Sequence, residues 1–245
     1  MLTIIQVGHV EASDRYIRNK MKAIRDAGME VELVNLPEDC TTEDVLDAIL
    51  DANLIIDCKA IMVQLPLPDH IDTDFVLKHI PVYADIDGLN PYSEYQPLTP
   101  CAIMRYFKEN DISLTGKTVA ILGRSNLVGK PLANMMIDAG ATVTVMNSKT
   151  AERTRTRECW FADIIVSAVG KPKVIDTWHL NHTRPQTIID VGINRNSDGK
   201  LCGDISDMAR FVINNNGGYC SPVPGGVGKW TVRELVLRLQ EMEGK

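Results

Sequence analysis

The sequence predicts an α/β protein on three observations. Short β-branched runs alternate with helix-periodic stretches, the pattern restarts near residue 100, and a strand runs through a glycine-rich turn into a helix between residues 118 and 139. Residues 4–7 read as the first strand, and the helix that follows, from about 13 to 27, stops at Gly28, which suits a left-handed C-cap. Residues 29–36 are a second strand, 42–53 a helix with Thr41 as N-cap, and 60–64 a third strand. Leu65-Pro66-Leu67-Pro68 is extended, because proline excludes the helical region for its predecessor, and 72–80 is a short helix. Thr99-Pro100 offers an N-cap and a first-turn proline for a helix to about 110, and the domain boundary falls there. Strand 118–122, helix 131–139 closed by Gly140, strand 142–146 and strands 164–169 and 187–191 make up one nucleotide-domain pattern. A Gly/Pro-rich loop then leads to an amphipathic helix from 231 to about 243.

Composition narrows the function. The 245 residues carry 26 Lys+Arg against 32 Asp+Glu, a net charge of −6, without a basic block, so neither nucleic acid nor an acidic membrane is an expected partner. The six cysteines are far apart with no C-x-x-C pair, and free thiols are expected. His179 and His182 have no carboxylate or cysteine to complete a metal set and read as surface histidines. Residues 1–8 are too short and too uncharged at the front for a signal peptide, and no apolar run approaches ~18 residues, so the expected compartment is the cytoplasm.

The segment Gly123-Arg124-Ser125-Asn126-Leu127-Val128-Gly129-Lys130-Pro131 joins a strand to a helix N-terminus, where free N–H groups and the helix dipole suit a phosphate. Five residues between Gly123 and Gly129, and Pro131 in place of a magnesium-binding hydroxyl, argue against a Walker A loop. Shape alone leaves two readings, a dinucleotide site and a plain strand-to-helix turn. The next strand ends Met146-Asn147-Ser148-Lys149, with no carboxylate to bind a ribose 2′-hydroxyl. Arg124 and Ser148 could instead hold a 2′-phosphate, which favours NADP over NAD, while Lys149 reads as a solvated lysine.

Upstream, Tyr16 and Lys20 stand four residues apart and share one helix face. Six motifs now occur in order: Ser13-x-x-Tyr16-x-x-x-Lys20, Val63-Gln64-Leu65-Pro66-Leu67-Pro68, Asp85-Ile86-Asp87-Gly88, the Gly123 to Pro131 segment, Asp190-Val191-Gly192-Ile193-Asn194, and Pro222-Val223-Pro224-Gly225-Gly226-Val227-Gly228. Together they resemble the bifunctional methylenetetrahydrofolate dehydrogenase/methenyltetrahydrofolate cyclohydrolase family, the FolD type, in a form lacking the usual helix ahead of the first strand.

That resemblance implies two α/β domains flanking a cleft. Residues 1–100 plus 221–245 would bind folate and residues 101–220 would form a Rossmann-like NADP-binding domain, with the last helix returning to the first domain. It implies Lys20 as the catalytic lysine, Tyr16 against the pterin, Gln64 bonded to Lys20, and Asp87 accepting bonds from the pterin's N–H groups. Leu65, Pro66, Pro224, Gly225 and Gly226 would complete the folate site. Gly123, Arg124, Ser125, Val128, Gly129 and Ser148 would hold NADP, with Ile193 against the nicotinamide. A homodimer and tetrahydrofolate one-carbon derivatives as substrates follow in the same way.

The chemistry is coherent. A lysine acts as a base near neutral pH only if its pKa is lowered, and a neutral glutamine partner permits that where a carboxylate would keep it charged. Three further departures from the family pattern are a shorter loop over residues 91–99, Asn147 where histidine is common, and Lys229-Trp230 where Pro-Met is usual. None removes a residue assigned to chemistry. Two rival readings are a dehydrogenase with weakened cyclohydrolase activity and a non-catalytic folate- or dinucleotide-binding module.

Overall fold

Parallel strand pairing organises both halves of the chain. The structure, a computed structural model, describes residues 1–9, 11–196 and 198–244; Val10, Ser197 and Lys245, which the expected domain ranges include, lie outside them. In chain order the first elements are β1 (Leu2–Val7), α1 (Glu11–Asp26), β2 (Val31–Leu36), α2 (Thr42–Leu54), β3 (Ala60–Val63) and α3 (Thr73–His79). Then follow α4 (Leu98–Glu109), β4 (Thr118–Leu122), α5 (Gly129–Asp138), β5 (Thr142–Met146), α6 (Glu152–Phe161), β6 (Ile164–Ser167) and β7 (Thr187–Asp190). Last come β8 (Asn194–Arg195), β9 (Leu201–Cys202), α7 (Asp207–Asn215), β10 (Tyr219–Cys220) and α8 (Val227–Glu243). The chain divides into two compact units, Met1–Leu98 with Val232–Lys245, and Thr99–Thr231, so residues 221–231 group with the second.

In the first unit β1 lies between β2 and β3, all parallel, with Ile5 opposite Val34 on one side and Val63 on the other. Every β1 residue is buried, because helices cover both faces, as parallel sheets require. Ile5, Val7, Ile61 and Val63 pack against Val45 and Ile49 of α2 and Val76 and Leu77 of α3. On the opposite face Leu2, Ile4, Ala60 and Met62 meet Ile17 and Ile24 of α1 and Leu235, Leu239 and Met242 of α8. The last helix therefore belongs to the first unit's core over its C-terminal part. Thr41 caps α2 as expected, in a reciprocal capping box with Asp44.

The second unit holds a five-stranded parallel sheet in the order β10-β7-β6-β4-β5. Strand order reverses between β4 and β6, and in open α/β sheets ligands bind at such a switch point, beyond the carboxyl ends of the strands. Strands 118–122 and 142–146 coincide with their expected ranges.

Several expectations are corrected. Thr99 is not an N-cap, since α4 already starts at Leu98 and the Thr99 hydroxyl lies 3.3 Å from that of Thr231. The expected helix 131–139 starts at Gly129, and the final helix starts one turn early at Val227, because the glycine-rich loop feeds directly into its first turn. His179 is not a surface residue: it is 1% exposed, in a one-turn 3-10 helix rather than an α-helix, while His182 is exposed. All six cysteines are free, three buried and three half-buried. No described helix is long and apolar enough to cross a membrane.

Candidate active site and nucleotide site

The lysine comes first, because its position is unusual. On α1, residues 17, 20, 21 and 24 fall on one stripe, and Ile17 and Ile24 lie in the core. Lys20 occupies that same stripe and is only 3% exposed. Its Nζ donates to Gln64 Oε1 at 3.0 Å and to Met62 Sδ at 3.2 Å. Met62 and Gln64 alternate along the β3 direction and so point to the same face. The Gln64 amide is oriented by its second bond, Nε2 donating to the Leu65 carbonyl at 2.6 Å, which turns the carbonyl oxygen toward the lysine. The Tyr16 ring centroid lies 4.6 Å from Nζ.

Burial lowers the pKa of Lys20 below the ordinary lysine value, and the charge of Asp87 opposes this. Burial likewise raises Asp87, against the positive charges of Lys20 and Arg238. Arg238 of α8 donates from Nη1 to the carbonyls of Ile86 at 2.9 Å and Gln96 at 2.8 Å, with its guanidinium over the Tyr95 ring. Asp85, by contrast, is structural: it accepts the backbone N–H groups of Gly88 and Asn90 and shapes the turn that carries Asp87. The first unit thus brings Tyr16, Lys20, Gln64 and Asp87 together, with Leu65 and Pro66 next in the chain.

In the second unit, the crevice at the ends of β4 and β6 is a cavity of about 410 Å³, whose lining includes Gly123, Arg124, Ser125, Asn147, Ser148 and Arg155. Gly123, at φ +109°, and Gly129 admit no side chain. A Cβ on Gly123 would stand 2.3 Å from the Ala168 carbonyl oxygen, and one on Gly129 would stand 2.1 Å from the Gly123 carbonyl oxygen. The α5 N-terminus has no side-chain cap, while Ser125 Oγ accepts the Val128 N–H at 3.1 Å within the preceding turn. Val128, Gly129 and Ile193 do not line the cavity, and Ile193 is exposed on the loop after β7. Pro224, Gly225 and Gly226 lie in the second unit, just before α8.

Residues 1–87 match the tetrahydrofolate dehydrogenase/cyclohydrolase catalytic domain, and residues 97–243 match that family's NAD(P)-binding domain. The chain belongs to the tetrahydrofolate dehydrogenase/cyclohydrolase family. It is 40% identical to the bifunctional protein FolD of Nitrosomonas europaea, over 96% of this chain and 80% of that one. The solved structure of the bifunctional FolD enzyme of Campylobacter jejuni superposes with a TM-score of 0.92 at 34% identity, over 99% of this chain and 87% of the other. The Trypanosoma brucei FolD, solved with NADP cofactor and inhibitor, gives 0.91 at 31%, over 98% and 85%.

Against this family background, several residues stand out that the motifs did not single out. Arg238 and Met62 face Asp87 and Lys20, and strand periodicity could have found Met62, two residues before Gln64. Asp204, fully buried, ties down the loop after β6. Its carboxylate accepts from Ser167 Oγ and the Val169 N–H at 2.8 Å, and from the Lys171 N–H and Asn194 Nδ2 at 3.0 Å. Its partner Asp190, which opens the Asp190 to Asn194 motif already noted and whose pKa burial pushes up to about 6, accepts from the Asp204 and Ile205 N–H groups and from Arg210. Among the described residues no group of three His, Cys, Asp or Glu could hold a metal ion.

Proposed function

We propose that this chain oxidises 5,10-methylenetetrahydrofolate to the 5,10-methenyl cation with NADP as hydride acceptor, then hydrolyses that cation to 10-formyltetrahydrofolate. The observation that carries this reading is the buried lysine whose hydrogen-bond partners are neutral, Gln64 and Met62. A nicotinamide nucleotide, when bound, takes up the hydride. The chain's own residues do the rest.

Burial lowers the pKa of Lys20 against the opposing charge of Asp87, which favours its role as the base that accepts a proton from the water adding to the methenyl carbon. The new C–O bond forms, ring C–N cleavage leaves the formyl group on N10, and one proton is released in net. Gln64 orients the amine, and Tyr16 stacks on the pterin. Asp87, paired electrostatically with Arg238, accepts bonds from the pterin's N–H groups. The assignments of Leu65, Pro66, Pro224, Gly225 and Gly226 to the folate, and of Ile193 to the nicotinamide, rest on the family's motifs.

NADP is favoured over NAD because the β5 end offers Ser148 and no carboxylate, with Arg124 on the same cavity. The glycine approach at Gly123 and the uncapped α5 N-terminus fit a pyrophosphate. We place the activity in the cytoplasm and expect a homodimer, as the family resemblance implies.

Lys20→Met tests the proposal. Methenyltetrahydrofolate hydrolysis, followed by loss of the methenyl absorbance, should fall to background; hydrolysis at the wild-type rate would sink the role given to Lys20. Accumulation of methenyl product during wild-type turnover would instead favour a dehydrogenase with weakened cyclohydrolase activity.

A further inference from the structure

We propose that Arg155 on α6 is a further holder of the cofactor's 2′-phosphate and so a determinant of NADP specificity. This rests on the NADP reading above. Arg155 lines the same cavity as Arg124, Asn147 and Ser148, although nothing in the motifs marks it. Its neighbours on the helix, Arg153 and Arg157, are exposed, whereas Arg155 is half-buried.

The guanidinium is held from behind. Its Nη2 pairs with Glu152 Oε2, and Glu152 is itself fixed on its other oxygen by the ring of His179 at 2.9 Å and by Trp178 Nε1 at 3.4 Å. The imidazole's proton can be placed. The Asp176 N–H donates to His179 Nδ1 at 3.0 Å, so Nδ1 is the acceptor and Nε2 carries the hydrogen that goes to Glu152. Burial, then the positive charge of Arg155, lower the His179 pKa and favour that neutral ring. A buried imidazole therefore props a carboxylate, and the carboxylate aims an arginine.

One donor is left over. Among the described residues, Arg155 Nε is the one buried side-chain nitrogen or oxygen without a hydrogen-bond partner. An unpaired buried donor is costly, and a small turn of the guanidinium toward an anion in the cavity would satisfy it. A guanidinium fork suits a phosphate better than any other side chain. Glu152 limits repulsion of that anion, because its charge is already shared with Arg155.

Calorimetric binding of 2′,5′-ADP and of 5′-AMP to the full chain tests this, since the two differ by the phosphate in question. Wild-type protein should bind 2′,5′-ADP more tightly. Arg155→Gln should weaken 2′,5′-ADP about 10- to 100-fold, the worth of one charge-assisted contact, and change 5′-AMP by less than about twofold. Arg155→Lys, which keeps the charge but not the fork, should lose less, and the KM for NADP should rise in the same order while that for NAD stays level. Equal losses for both ligands would make Arg155 an adenine contact and overturn the proposal, as would no loss for either. A wild-type protein that binds both ligands equally overturns the NADP reading and this inference with it. Wild-type discrimination that survives in both variants overturns only the inference. Melting curves report folding, and if Arg155→Gln does not fold, the Arg155→Lys ratio of the two affinities decides.

Discussion

Lys20 stands where an amphipathic helix ordinarily places leucine or isoleucine, between Ile17 and Ile24 on the buried stripe of α1. Such a position is unfavourable for a charge. A lysine whose folded pKa lies below its unfolded value binds fewer protons folded than unfolded in the window between the two values, so stability rises with pH through that window. Below the window the full cost of burying the ammonium is present. Lys20→Met removes that cost while keeping volume, and should leave the melting temperature at neutral pH equal or higher even as hydrolysis is lost; a marked fall would make Lys20 a structural residue. Gln64→Glu has the opposite electrostatic sense. A carboxylate 3.0 Å from Nζ holds the lysine charged, so the rising limb of the cyclohydrolase pH profile should move up by about one pH unit or more, with activity near pH 7 reduced. An unshifted profile would show that Gln64 does not set the state of Lys20. The Tyr16 and Lys20 spacing was legible from helix periodicity, and the Gln64 partnership came from the family's motifs. Arg238, some 150 residues from Asp87 in sequence, was not legible: no local pattern links a C-terminal helix to a turn that far away.

The β4-to-α5 junction is the element on which the proposed nucleotide binding depends. Gly129→Ala would place a methyl group 2.1 Å from the Gly123 carbonyl oxygen, a backbone atom that can yield only by moving the loop. The expected cost is about 1–3 kcal/mol of stability. Loss of about tenfold or more in 2′,5′-ADP affinity should accompany it, measured by calorimetry. Wild-type affinity in that variant would mean that the loop geometry is not what holds the phosphate. This element was readable because glycines and a strand-helix transition leave a local signature. The helix α6 was not. Its sequence Glu-Arg-Thr-Arg-Thr-Arg-Glu-Cys-Trp-Phe buries only Cys159 and so lacks the apolar periodicity that marks a helix. The same absence concealed Arg155 among three similar arginines.

At the scale of the whole molecule, the first unit is built from two separated stretches of chain, and its core needs both. Leu235, Leu239 and Met242 of α8 are buried against α1 and the sheet. At about 1.5–3 kcal/mol for each fully buried side chain, their removal is comparable with the whole net stability of a small domain. Truncation after Thr231 should therefore abolish the first unit's cooperative unfolding in calorimetry, while 2′,5′-ADP binding by the second unit persists; an unchanged thermogram would count against the shared core. The α/β class, most strands, the glycine turn and the family were determined by sequence alone, because these depend on local periodicity, turn chemistry and motif order. Tertiary structure alone decided that Lys20 is buried and takes Met62 as a second partner, that Asp204 ties the loop after β6, and that His179 and Glu152 hold Arg155 beside the cavity. Those arrangements join residues from separate elements, and burial and hydrogen bonding across such distances arise only once the chain has folded.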